Sequence, residues 1–318
     1  MPSRTSSTRS GSNRDRDGNG DVPEIVAGYA GTPETLPAGS PGKDGVLELG
    51  FVRIGGRTEL SQHRQQPPLQ IMRPLYVDPE RPDLPVVYLM STGGGLVQGD
   101  RMRLDIDCGP DTSVHLTTQA STKVQRMDTD YATQTVTLRA GAGAFVEYLP
   151  EPLIPFGGAR LHQRTTVTVD PSATVILGET VLAGRLARDE KHEYDVFASD
   201  LEVVRPDGVL LAVDTIRLQP SDGGVTGPAV FGDHDVMGTL YVVTPLAHAR
   251  ALADVLHDAI QGPTNGIEAG VSILPEDCGV WLRVLGTETE AVAAVVRQAW
   301  DAARRLLIGV PAPHIRRT

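Results

Sequence analysis

The chain has 318 residues, 40% apolar, 22% charged and 4% aromatic, with 34 glycines, 24 prolines and a formal net charge of -11. That supplies apolar material for one large core or two modest ones and excludes a collagen, a coiled coil and a fully disordered chain. So acidic a surface repels nucleic acid and anionic lipid, and no apolar run approaches the roughly 20 residues that span a bilayer, so neither a nucleic acid nor a membrane is expected as partner.

The first 44 residues mix Ser, Gly, Pro and Arg with hardly an apolar pair, so residues 1–44 read as a disordered tail. Met1 to Gly20 holds no apolar block of the kind a secretory signal needs, and the protein is expected in the cytoplasm. Residues 45–220 read as a β-rich body. VHLTTQ (114–119), TQTVTLRA (133–140), RTTVTV (164–169) and ATVILGE (173–179) alternate with a period of two, separated by GPD, GAG, DPS and RPDG turn formers. The pattern alone is compatible with a sandwich, a barrel or stacked β turns.

Residues 221–318 read as an α+β part packed on the body as one compact unit, in the order β, α, β, β, α. After the strand GTLYVVT, Thr244 and Pro245 predict a capped helix whose Leu246, Ala249, Leu252, Ala253, Leu256 and Ile260 share one face. GVSIL and GVWLRVLG predict a strand pair. TETE (287–290) reads as a capping box before a helix with an apolar stripe of Val292, Val295, Val296, Ala299, Ala303 and Leu306.

STGGGLVQGD (91–100) is the densest glycine feature, and Gly93, Gly94, Gly95 and Gly99 allow close approach or positive φ. It has no G-x-x-x-x-G-K-[ST], and a strand, RMRLDID, follows in place of a helix, so a structural turn is expected and a phosphate loop is not. TTQASTKV (117–124) brings Thr117, Thr118 and Gln119 near Lys123, one of three lysines; a polar turn is one reading and a hydrolase using Lys123 with Thr117 or Thr118 is the alternative. The eight histidines show no metal-binding spacing, and Cys108 and Cys278 stand apart as small core residues. Five carboxylates stand out: Asp100 after the glycine loop, Glu147 and Glu151 flanking the turn of FVEYLPEPLIPF, Glu179 at the end of a strand, and Glu190 after ARD. Each is compatible with an ion pair, for which Arg185 and Arg188 are candidates, or with a path of hard oxygen ligands for a divalent cation.

Several of these segments resemble the UreD (UreH) family of urease accessory proteins. GGGLVQGDRMRLDI resembles the family's glycine-rich segment and following strand, TTQASTKVQR its TTQAATKVYR, FVEYLPEPLIPF its LEYLPQ run, GETVLAGRLARDE, with Gly184, Arg185 and Glu190, its GR-x-ARGE element, and RRLLIGVPAPHIRR its C-terminal segment. Gln125, Asp189, His314 and Arg316 depart from the usual residues. The resemblance spans about residues 48–317. It implies a non-enzymatic scaffold of stacked or helical β architecture with two C-terminal helices, which binds urease apoprotein, UreF and the GTPase UreG. It also implies no permanently bound cofactor, with nickel in transit through the interior past Asp100, Glu147, Glu179 and Glu190. The basic pairs Arg304–Arg305 and Arg316–Arg317 are expected to contribute to partner binding.

Overall fold

The computed structural model describes residues 22–31, 42–245, 248–261 and 266–315. The first sequence element met is a short helix, α1 (Glu24–Ala27), followed by an antiparallel pair, β1 (Asp44–Ile54) and β2 (Arg57–Gln66), and by β3 (Leu69–Ile71). The chain then winds in repeated turns. Each turn gives one strand to a first sheet, through β4 (Val86–Ser91), β6 (Ser113–Thr118), β9 (Phe145–Tyr148) and β12 (Thr174–Leu182). Each gives one to a second sheet, through β5 (Arg101–Cys108), β8 (Ala132–Ala140), β11 (Arg160–Val169) and β13 (Val196–Val204). Two short strands, β7 (Thr122–Val124) and β10 (Leu153–Pro155), pair on a narrow third side.

Successive turns stack in parallel. Val86 pairs with His115, His115 with Glu147 and Glu147 with Ile176, a spacing of roughly 30 residues per turn, which makes the body a β-solenoid. The second sheet ends in β14 (Leu210–Leu218). The first continues through β15 (Val236–Val243), β17 (Gly279–Gly286) and β16 (Ile267–Ile273), all antiparallel, so one sheet runs unbroken across residue 220. Helices α2 (Ala249–Ala259) and α3 (Thr289–Ile308) cover its outer face.

The sequence pattern follows from these surroundings. On β5, Met102, Leu104, Ile106 and Cys108 point inward while Arg103 and Asp105 remain partly exposed, the alternation of a sheet with one wet face. Strand β15 is buried at all eight positions, because its inner face meets the second sheet and its outer face meets the helices. The mostly β class with C-terminal helices, and the β, α, β, β, α order after residue 220, match the sequence reading.

Three local expectations need correction. Residues 22–31, placed in the disordered tail, are folded: Val26 is fully buried against Tyr131, Val196 and Ala198, and Arg160 lies over the Tyr29 ring. The rest of that tail lies outside the described residues, as does Leu246. Helix α2 begins at Ala249 with His248 at the N-cap, not at Thr244, whose hydroxyl instead meets that of Thr174 at 3.1 Å. Helix α3 begins at Thr289 with Glu288 as N-cap and no side-chain cap bond. Its phase is set by burial of Val292, Val295, Ala299, Trp300, Ala303 and Arg304; Leu306, expected in the stripe, is exposed.

Arg304 explains that drift. Fully buried, it donates to Glu147 Oε2 at 2.9 Å and to Asp78 Oδ2 at 2.6 Å. Glu147 also contacts His115 Nδ1 at 2.9 Å and accepts the Trp300 indole N–H at 2.7 Å. Arg304 is therefore an internal tie between α3 and the sheet and not part of a basic partner-binding end. Burial alone would raise the Glu147 carboxyl, but His115, Arg304 and Trp300 outweigh it and hold it below the usual glutamate range.

Removing one partner of such a buried pair strands the other charge. Arg304→Met should cost about 3–5 kcal/mol, whereas Arg305→Ala, which breaks an exposed pair with Asp301, should stay within about 0.5 kcal/mol; urea denaturation measures both. Because the Glu147 carboxyl is depressed in the native state, its contribution is present above the ordinary glutamate pKa and lost as pH falls through the native value. Glu147→Gln should flatten that part of the acid unfolding curve. Deleting residues 1–21 should leave the melting temperature unchanged, while deletion through Gly31 should lower it by uncovering Val196 and Ala198.

Candidate functional site

A cavity of about 260 Å³ lies between the two sheets and crosses several turns, from the glycine loop after β4 to Asp214 on β14 and Tyr241 on β15. Gly93, Gly94, Gly95, Thr118, Gln119, Lys123 and Glu179 all line it, so two sequence motifs and one candidate carboxylate converge on one space. The glycine loop is a close-packed turn. Gly95 has φ +129°, and a Cβ there would sit 2.4 Å from the Lys123 carbonyl oxygen. That approach lets Leu96 N donate to Lys123 O at 2.8 Å and Gln125 N donate to Leu96 O at 2.8 Å. Gly94 has no such constraint, and its carbonyl accepts the Gln125 side-chain amide at 2.8 Å.

Glu179 occupies an inward position between Leu177 and Val181, where the strand pattern calls for an apolar residue. Its Oε1 accepts Gln163 Nε2 at 2.7 Å and Ser199 Oγ at 3.3 Å, both from the opposite sheet, and no ion pair reaches it among the described residues. Burial pushes its carboxyl above the usual range; Ser199 and Gln163 oppose this and the negative Asp214 reinforces it. Asp214 Oδ2 accepts Arg283 Nη2 at 2.7 Å and the Tyr241 hydroxyl. Sequence reasoning missed Gln163, Ser199, Asp214, Tyr241 and Arg283. Their signal is a polar residue at an inward step of an alternating strand, as in Leu161, Gln163, Thr165, Val167 on β11.

The other candidates hold the fold together elsewhere. Asp100 accepts the backbone N–H groups of Lys43 at 3.1 Å and Val97 at 3.0 Å, closing the turn that contains Gly99. Glu147 faces α3, on the side of the sheet away from the cavity. Glu190 pairs with Arg185, one of the two arginines the sequence suggested, and accepts Gly157 N at 2.9 Å; Arg185 also lies over the Phe156 ring. Gly184 is required there, because a Cβ would fall 2.3 Å from the Glu190 carbonyl oxygen. Arg305 is exposed, and Arg316 and Arg317 lie outside the described residues. No group of three or more His, Cys, Asp or Glu among the described residues is placed to hold a metal ion.

The arrangement does not join Lys123 to Thr117 or Thr118 as base and nucleophile. Thr117 Oγ1 donates to the Leu149 carbonyl at 2.7 Å, Thr118 Oγ1 accepts Glu151 N at 2.8 Å, and among the described residues no hydrogen bond joins Lys123 Nζ to either hydroxyl. Nucleophilic catalysis needs the nucleophile within reach of a base, and here both hydroxyls serve the backbone.

The glycine loop provides a direct test. Gly95→Val should destabilise by about 2–4 kcal/mol, from strained φ and a steric overlap, while Gly94→Val should melt close to the parent chain.

A family model for the UreD urease accessory protein matches residues 43–317. A Streptomyces griseus subsp. griseus protein described as urease accessory protein UreD 2 is 55% identical over 92% of this chain and 100% of its own length. A Brucella suis UreD 2 is 40% identical over 91% of this chain and 96% of its own. A Photorhabdus laumondii UreD is 36% identical over 92% and 91%. With a match of that extent and a cavity-bearing β-solenoid beneath it, the chain belongs to the UreD family of urease accessory proteins.

Proposed function

We propose that this chain is a non-catalytic cytoplasmic scaffold in urease maturation that binds urease apoprotein together with UreF and the GTPase UreG, and passes nickel through the space between its sheets. Membership of the UreD family gives the role in urease maturation; the partners and the nickel path are the finer reading. The observation that carries it is Glu179: a half-buried carboxylate in the cavity wall, hydrogen-bonded by neutral Gln163 and Ser199 and in no ion pair among the described residues. Hard oxygen ligands of this kind hold a divalent ion briefly and release it, which suits transit.

Glu151 and Asp214 also stand in the cavity wall, but of the four carboxylates that the sequence reading places on the nickel path only Glu179 does. The transit role therefore narrows to it, while Asp100, Glu147 and Glu190 act through stability. Glu179→Gln keeps the shape and the oxygen acceptor, so the variant should fold and capture UreF as the parent does but lower urease activation several-fold in a nickel-limited assay. Activation at the parental rate by a normally assembling Glu179→Gln protein would remove Glu179 from the path. Arg305 is the remaining described member of the basic pairs, and Arg305→Glu should weaken UreF capture if that end of α3 meets the partner; undiminished capture makes it a spectator.

A further inference from the structure

The wall of the cavity near Glu179 contains a second carboxylate, Asp214, and the strand row through Glu179 carries two buried polar atoms without partners among the described residues. Glu179, Thr239 and Arg283 form one row across β12, β15 and β17, and register partners on adjacent strands point to the same side of a sheet. The row therefore faces the interior. Thr239 is 1% exposed, and among the described residues neither its Oγ1 nor the buried Nε of Arg283 has a hydrogen-bond partner. Opposite the row stands Asp214, bonded to Arg283 and Tyr241.

The bonds of each carboxylate fall on one oxygen. Gln163 and Ser199 both use Oε1 of Glu179, and Arg283 and Tyr241 both use Oδ2 of Asp214. Among the described residues, Oε2 of Glu179 and Oδ1 of Asp214 thus remain as acceptors in the cavity wall, and Oγ1 of Thr239 stands next to Glu179 in the row behind that wall. Three hard oxygens suit a partly hydrated divalent cation. The Arg283 guanidinium opposes it, both by repulsion and by occupying Asp214. Arg283 also has somewhere to go: its guanidinium already lies 5.1 Å from the centroid of the Trp281 ring, an alternative resting place for a cation.

We propose that the Arg283–Asp214 ion pair is a latch on the interior path, opened when a divalent cation at Glu179 and Thr239 draws Asp214 away from Arg283. The latch rests on the transit reading. It keeps the wall closed to a lone cation until enough oxygen ligands engage at once, and it closes again when the cation leaves, because the arginine is covalently tethered beside the aspartate while the cation is not.

The test uses the purified full-length chain titrated with NiSO4 alone and followed by tryptophan emission, since paramagnetic nickel quenches a nearby indole and Trp281 adjoins the latch. The parent chain should show saturable quenching. Glu179→Gln and Asp214→Asn should each weaken the apparent affinity about tenfold or more by removing a ligand charge. Arg283→Met should tighten it about tenfold, and Arg283→Lys, which keeps the positive charge, should stay within about threefold of the parent. Circular dichroism confirms that each variant is folded, and Arg283→Gln replaces Arg283→Met if that variant is not. A folded Arg283→Met or Arg283→Gln chain that binds nickel no more tightly than the parent overturns the latch, as does absence of saturable quenching in the parent and uncharged variants alike. Urease activation separates this from the transit reading. If activation still falls with Glu179→Gln while nickel affinity ignores Arg283, the path stands without the latch; if affinity follows Arg283 while activation ignores Glu179, the latch stands without the path.

Discussion

A single carboxylate shielded from water sets the arrangement of the rest. Glu147 sits on the helix-facing side of the first sheet, surrounded by His115, Trp300 and Arg304. A charge in such a place is tolerated only when every neighbour is aimed at it, and three of the four groups that form the cluster with it come from distant parts of the chain. Asp78 reaches Arg304 from the segment before the solenoid, His115 comes from β6, and Trp300 and Arg304 come from α3. The cluster thereby fixes how α3 lies and rotates on the sheet, since two residues one turn-step apart on the helix must meet one glutamate. Apolar contacts supply most of the burial around it, through Leu252, Leu256, Val292, Val295 and Ala299, but they permit small slides that the polar cluster does not.

That fixed outer layer has a bearing on the interior. A sheet held on one face by helices can present polar side chains on the other without losing its place. The inner face is apolar near the turns that hold Leu104, Leu116, Val136 and Val146, and becomes polar toward Gln163, Glu179, Ser199 and Asp214. A purely apolar interior would close on itself. The polar steps bridge the two sheets through Glu179 and form one part of a cavity wall that is apolar elsewhere, as at Leu104 and Val136. Its glycine-loop end is shaped differently, by a backbone contact between Gly95 and Lys123 that no larger residue permits.

Much of the fold was legible in the sequence because its signals are local. The period-two runs on β6, β8, β11 and β12 and the turn formers between them depend only on which side of a strand meets water. Stacking in parallel was not legible from periodicity, since parallel and antiparallel strands alternate alike; the family resemblance carried that part. Helix ends were the weakest feature. Thr244 and Thr287 look like caps, yet α2 begins at Ala249 and α3 at Thr289, and neither N-terminus has a side-chain cap bond. The site divided similarly. Glu190 lies close in sequence to Arg185, one of two arginines that the sequence offers for an ion pair, while Arg304 reads as a surface charge because nothing nearby in the sequence announces Glu147 or Asp78. Asp214 and Ser199 escaped notice since an inward polar step is visible only once the inward side of each strand is known.

The separation along the chain of the groups that meet at Glu147 has a further consequence during synthesis. Glu147 precedes its counter-ion Arg304 by 157 residues, and Asp78 precedes it by 226. At the usual speed of about 5–20 residues per second, the turns of the solenoid leave the ribosome on the order of ten seconds or more before the arginine that neutralises them. Until then Glu147 has His115 of β6 beside it but not Arg304, and the apolar outer face of the first sheet lacks the cover of α3. The late arrival of one arginine thus delays the final closure of that face until nearly the whole chain is present.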